Sequence, residues 1–146
     1  MRTSTLVIEI GVLVAAVAVG RVGCAMNWFG DHVQFERLRS ANRVRVRDNS
    51  DHELRTITDS ETIAALVRFA EAHADGWGVP WYGAPVARIY AQFYEGDRFI
   101  NDLGVGGDWI GTQHKGYFYS RSVSDDDRAA VMKLLDVPDP YATQNR

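Results

Sequence analysis

The sequence predicts an α+β domain of order β-β-α-β-β-β-β-α, an antiparallel β-sheet meander with helices packed on one face, preceded by an apolar N-terminal segment. Three observations predict it. Arg43-Val44-Arg45-Val46-Arg47 and the stretch from Ala87 to Tyr94 alternate apolar with polar or aromatic side chains, the period of half-buried strands. Asp59 and Ser124 each precede apolar residues at three- and four-residue spacing, the pattern of a capped amphipathic helix. Glu95-Gly96-Asp97, Gly106-Gly107 and His114-Lys115-Gly116 are turn signals that cut the intervening chain into short antiparallel strands.

The first 25 residues have the order of an export signal: Arg2 and the free amine, an apolar run from Leu6 to Val19 broken only by Glu9 and Gly11, then small residues at Gly20, Gly23 and Ala25. The run is about 14 residues, short of the roughly 20 that span a bilayer. Cleavage as a signal peptide and retention as a signal anchor are both open. A third outcome is acylation of Cys24, which follows Gly23 as in a lipoprotein signal, although Arg21 stands where that pattern has an aliphatic residue. A fourth is a buried helix of a cytosolic fold, against which the run shows no polar face. Residues 26–42 read as a linker or a short helix packing on the domain, with Trp28, Phe29, Val33, Phe35 and Leu38 at loosely helical spacing.

A single α+β domain is expected over 43–138. Arg43–Arg47 is its first strand, Asp48-Asn49-Ser50-Asp51 a turn, and Glu53–Thr58 the second strand. Asp59 caps a helix carrying Ile63, Leu66, Val67, Ala70 and Ala74, which Gly76 closes. Trp77 to Pro85 is an aromatic loop. Ala87–Tyr94, Arg98–Val105, Asp108–Gln113 and Tyr117–Arg121 form the meander. Ser124 with Asp127 starts the last helix, Pro138 and Pro140 end it, and 139–146 is a flexible tail.

The chain has Ile57-Thr58-Asp59 opening a helix, His73-Ala74-Asp75-Gly76-Trp77 closing it, Pro80 and Pro85 after it, Phe93-Tyr94 in a strand and Arg121-Ser122-Val123-Ser124 before the final helix. Over about residues 55–137 the chain resembles small, poorly characterised exported or lipoprotein-like proteins of Gram-negative bacteria. The resemblance implies export and an α+β fold, with the periplasm or the periplasmic side of a membrane as its location. It supplies no catalytic residues.

Composition narrows the function classes. At 146 residues, 46% hydrophobic and 24% charged, the chain holds one ordinary domain. Sixteen basic against 19 acidic residues give a net charge of −3, without the positive excess of a non-specific nucleic-acid binder. Cys24 is the sole cysteine, so neither an intramolecular disulfide nor a multi-cysteine metal site is available. His32, His52, His73 and His114 lack metal-ligand spacing, and no metal or other cofactor is expected. His73, near a helix C-terminus, complements the helix dipole. No Gly-x-Ser-x-Gly segment is present, and Gly104-Val105-Gly106-Gly107 precedes a strand rather than the helix a phosphate cradle needs.

Two surfaces remain. Arg43, Arg45 and Arg47 project from one side of their strand, either toward an anionic envelope component or as charge protecting a sheet edge. The stronger candidate is aromatic: Trp77, Trp81 and Tyr82 in the loop, Arg88, Tyr90 and Tyr94 on the strand after it, and Tyr119 and Arg121 joining across the meander. Tryptophan, tyrosine and arginine are the types enriched at binding hot spots. The alternative is that the tryptophans fold back over the helix ends and fill the core. The expected function is an exported cell-envelope binding domain, acting as an inhibitor, immunity factor or accessory subunit on an envelope protein or polymer. A small envelope hydrolase using Glu95, Asp97, Asp102 or Asp108 is the competing class, and an anchored structural component a third.

Overall fold

A computed structural model describes residues 30–142, and from His32 onward the chain forms one compact unit. The export segment, Cys24 and residues 143–146 lie outside the described residues. The elements run as a short 3-10 turn (Glu36–Ser40), β1 (Arg43–Asp48), β2 (Glu53–Ile57), α1 (Ser60–Ala72), β3 (Ile89–Glu95), β4 (Arg98–Val105), β5 (Trp109–His114), β6 (Tyr117–Ser122) and α2 (Asp125–Leu135). This is the α+β order read from the sequence.

Each helix starts where a side chain satisfies a free backbone donor. The Asp59 carboxylate accepts from the Thr62 N–H at 2.8 Å, and the Ser124 hydroxyl accepts from the Asp127 N–H at 3.0 Å. Asp125, Asp126 and Asp127 add negative charge where the dipole of α2 is positive. α1 ends at Ala72 with His73 as its cap, three residues earlier than a closure by Gly76. Gly76 does take a left-handed φ of 80°, but in the turn that leads into Trp77. The His73 Nδ1–H donates to the Phe69 carbonyl in the last turn, at 2.7 Å, the dipole-complementing place expected for it.

The six strands form one antiparallel sheet in the order β2-β1-β3-β4-β5-β6. β1 and β2 pair as a hairpin through a turn in which the Asp48 carboxylate accepts the N–H groups of Ser50 and His52. α1 then carries the chain past β1, so that β3 joins on its other side. From β3 onward the strands follow one another as the expected meander. The β5–β6 turn has both Lys115 and Gly116 at positive φ, 51° and 83°, as a two-residue hairpin turn of matching twist requires.

Alternation sorts the side chains. Val44 and Val46 stand opposite Phe93 and Ala91, and Ala91 stands opposite Leu103 on its other side. All five are fully buried. Ile63, Leu66, Val67 and Ala70 of α1 and Val131, Met132 and Leu135 of α2 join them in one core. Full burial of such a side chain contributes ~1.5–3 kcal/mol before the entropy of ordering is subtracted.

Of the two readings of the stretch before β1, the structure has the short helix packed on the domain: Val33, Phe35 and Leu38 belong to the core. Phe35 packs on Trp77 at 5.6 Å between ring centroids. Part of the supposed tail is held as well: buried Arg128 donates to the Asp139 carboxylate at 3.1 Å and to the Gly107 carbonyl, and the Tyr141 hydroxyl accepts the Arg88 N–H at 3.2 Å. Finally, β1 is an inner strand and its arginines guard no edge. The edges are β2, with charged Glu53 and Arg55, and β6, on which Gly78 makes two 2.9 Å backbone bonds with Ser120.

The two tryptophans of the aromatic loop are therefore expected to respond in opposite ways. Trp77 is fully buried, and Trp77→Ala should lose ~3–5 kcal/mol of unfolding free energy. Trp81 is almost fully exposed, and Trp81→Ala should stay within about 0.5 kcal/mol of the parent. Urea unfolding followed by circular dichroism checks both.

Candidate binding face

The register that buries Val44 and Val46 turns their neighbours the other way. Arg43 pairs with Tyr94, Arg45 with Gln92 and Arg47 with Tyr90 across β1 and β3. Gln92 stands opposite Asp102 and Tyr90 opposite Gly104 on β4, and Gly104 stands opposite Gly111 on β5. This second face carries Arg43, Arg45, Arg47, Tyr90, Gln92, Tyr94 and Asp102, all half-buried. Both helices pack on the first face, so among the described residues no helix covers the second.

Glycines let the aromatic rings lie flat on it. A Cβ on Gly106 would fall 2.2 Å from the Trp109 indole, and one on Gly111 would fall 2.3 Å from the Phe118 ring. A Cβ on Gly104 would meet the Tyr90 ring at 3.2 Å. Trp109 and Phe118 then meet edge to face, with centroids 6.1 Å apart. The Tyr90 hydroxyl accepts the Ala87 N–H at 3.2 Å, and the Tyr94 hydroxyl donates to Gln92 Oε1 at 3.2 Å. Rings held in this way present area without further loss of rotamer entropy.

The arginines are built into the same layer. The Arg43 guanidinium lies over the Tyr94 ring at 5.0 Å and that of Arg47 over Tyr90 at 6.0 Å. Each arginine also has an acidic neighbour: Asp97 for Arg43 at 3.4 Å, Glu53 for Arg45 at 2.9 Å, and Asp51 for Arg47. The Thr56 hydroxyl and Arg45 hold the Glu53 carboxyl below its usual range. These pairs leave capacity over. Among the described residues the buried Nε–H groups of Arg43 and Arg47 have no acceptor, and an unmet buried donor costs ~1–3 kcal/mol.

Asp102 sits in the middle of this layer. Burial pushes its carboxyl above the ordinary aspartate value of 3.8, while the Gln113 N–H and the Arg47 charge pull the other way. Of the other loop carboxylates, Glu95 pairs with Arg98 and Asp97 with Arg43.

The eight residues proposed from the sequence do not share one surface. Tyr90 and Tyr94 lie on the uncovered face. Arg88, at its end, stacks on Tyr141 at 5.3 Å. Trp81 and Tyr82 project from the loop, edge to face at 5.7 Å. Trp77 and Tyr119 are core residues, which removes them from any exposed patch. Arg121 shares the side of Tyr119 on β6 and donates to the Asp75 carbonyl at 2.7 Å. The sequence reading assigned Tyr119 and Arg121 to the wrong side because it did not set the β5–β6 register against β3. It also missed Trp109 and Phe118. Glycines at two-residue spacing, Gly104 and Gly106, next to an aromatic strand were the available signal.

Among the described residues, no group of three or more His, Cys, Asp and Glu is placed to hold a metal ion. His32 meets Asp75 at 2.7 Å, His52 meets Asp48 at 3.3 Å, and the His114 ring packs edge-on against Tyr119. No family model matches the chain, and neither curated proteins nor solved structures show a significant match to it.

Two substitutions probe the layer. Gly106→Ala must lift the Trp109 indole off the sheet and is expected to cost ~1–3 kcal/mol, read as a lower urea midpoint. Asp102 has the opposite sign. Its folded-state affinity for a proton exceeds that of the unfolded chain, so its ionisation works against folding. The penalty is absent below the usual aspartate range and complete once the pH has passed the raised folded value. Asp102→Asn is thus expected to be more stable than the parent at pH 7, with the gap closing as the pH falls through the aspartate range. Urea midpoints measured across that range check it.

Proposed function

We propose that this chain is an exported cell-envelope binding domain, acting as an inhibitor, immunity factor or accessory subunit, and that it captures an envelope protein or polymer on the uncovered sheet face. The apolar segment Leu6–Val19 directs it to the periplasm, as a cleaved signal or as an anchor facing that compartment. Acylation at Cys24 is the variant of this reading in which the anchor is a lipid. The observation that carries the binding role is the uncovered layer itself, in which Arg43 and Arg47 stack on Tyr94 and Tyr90 and each keeps a buried Nε–H without an acceptor. Pre-ordered aromatic and guanidinium groups are the kind that dominate binding energy. The guanidinium groups favour a partner rich in acceptor oxygens.

One observation favours the hydrolase reading: Asp102 lies in the same layer with its carboxyl raised by burial, as a general acid requires. Asp102→Asn tests it: a hydrolase would lose its action on envelope material.

Site-specific photo-crosslinking in cells tests the binding role. A photoreactive residue in place of Gln92 or Ser120, on the uncovered face, is expected to give discrete adducts with an envelope component. The same residue in place of Arg68 or Ala129, exposed on the helices, is expected to give none. Adducts confined to the helical side would overturn the assignment. Arg45→Ala with Tyr94→Ala should reduce the adducts from Ser120 by about tenfold or more, since hot-spot pairs are worth ~2 kcal/mol or above.

A further inference from the structure

The loop between α1 and β3 is built to project an apolar tip. Residues 77–87, Trp-Gly-Val-Pro-Trp-Tyr-Gly-Ala-Pro-Val-Ala, contain no charged side chain. Both feet are clamped. Trp77 is buried with its indole N–H donating to the His73 carbonyl at 2.7 Å, Gly78 is bonded twice to Ser120, and Ala87 is buried. Between them Val79 is 54% exposed, Trp81 94%, Tyr82 66% and Val86 69%. Pro80, Pro85 and a turn in which the Gly83 N–H donates to the Pro80 carbonyl at 3.3 Å stiffen the projection.

We propose that this tip, Val79 to Val86, enters the interfacial region of a phospholipid bilayer. The polar side-chain atoms of the tip are the indole N–H and the phenol, on the two ring types that settle at headgroup level. Charged residues flank the loop only at its base: Asp75 and Arg88 on either side of it in the chain, and Asp108 and Arg121 lining the cleft beneath Val79 and Tyr82, two of each sign. The contact is therefore apolar rather than a response to anionic lipid. The rest of the chain supplies a use for it. The run Leu6–Val19 is too short to span a bilayer as a helix, and stable attachment takes two signals. The tip belongs to the loop and not to the partner-binding layer, so the two assignments stand or fall separately.

The test uses the full-length chain carrying Cys24→Ser, with a nitroxide on Val79→Cys, Val86→Cys or, as a helix control, Ala64→Cys, in phosphatidylcholine vesicles. Power-saturation spectroscopy compares collisions with oxygen and with a water-soluble nickel chelate. The two loop sites are expected to show an oxygen-to-nickel ratio about fivefold or more above that of Ala64. Adding Trp81→Ala and Tyr82→Ala should return them to the control value, and added salt should change the ratio less than about twofold. Water-like ratios at both loop sites would overturn the proposal. So would a ratio that survives loss of both rings, one that collapses in salt, or shielding from both reagents that appears only when envelope proteins are added. The photo-crosslinks from Gln92 report the binding layer independently of any of these results.

Discussion

The pairing of β1 with β3 is the constraint on which the remainder of the molecule depends. Side chains alternate along a strand, so one register decides both faces of the sheet at once. With Val44 opposite Phe93 and Val46 opposite Ala91, the apolar set faces the helices and Arg43, Arg45 and Arg47 line up beside Tyr94, Gln92 and Tyr90. A slip of one residue would place three guanidinium groups under α1 and α2, at a cost of several kcal/mol each. The core thus enforces the composition of the uncovered face.

That face is ordered by its own contacts. Guanidinium groups rest on tyrosines, tyrosines and Trp109 rest on glycines, and acidic side chains from the turns fix the outer ends of the arginines. The order has costs that serve folding poorly: two buried Nε–H groups without acceptors and a carboxyl at Asp102 whose ionisation burial opposes. These costs are the observations from which the proposed binding role is argued.

Much of the fold was legible in the sequence because its signals are local. Strict alternation gave β1 and β3, Asp59 and Ser124 marked the helix starts, and Gly96 and Gly116 marked hairpins. The misplacements came from non-local facts. Whether Arg43–Asp48 is an edge or an inner strand depends on α1 carrying β3 to its far side, and nothing within the strand records that. Whether Trp77 or Trp81 is buried depends on Phe35, more than forty residues earlier, supplying a packing partner to one and not the other. Tyr119 was placed with Tyr90 and Tyr94 for the same reason: its side of the sheet is fixed by the accumulated register through β4 and β5.

The β1–β3 register itself is the most direct object of measurement. Backbone nuclear Overhauser effects in the isotope-labelled chain are expected between Arg45 and Gln92 and between the flanking partners Val44 and Phe93, and Val46 and Ala91. Cross-strand effects linking Arg45 instead to Ala91 or Phe93 would put the arginines on the core side and contradict the account of both faces.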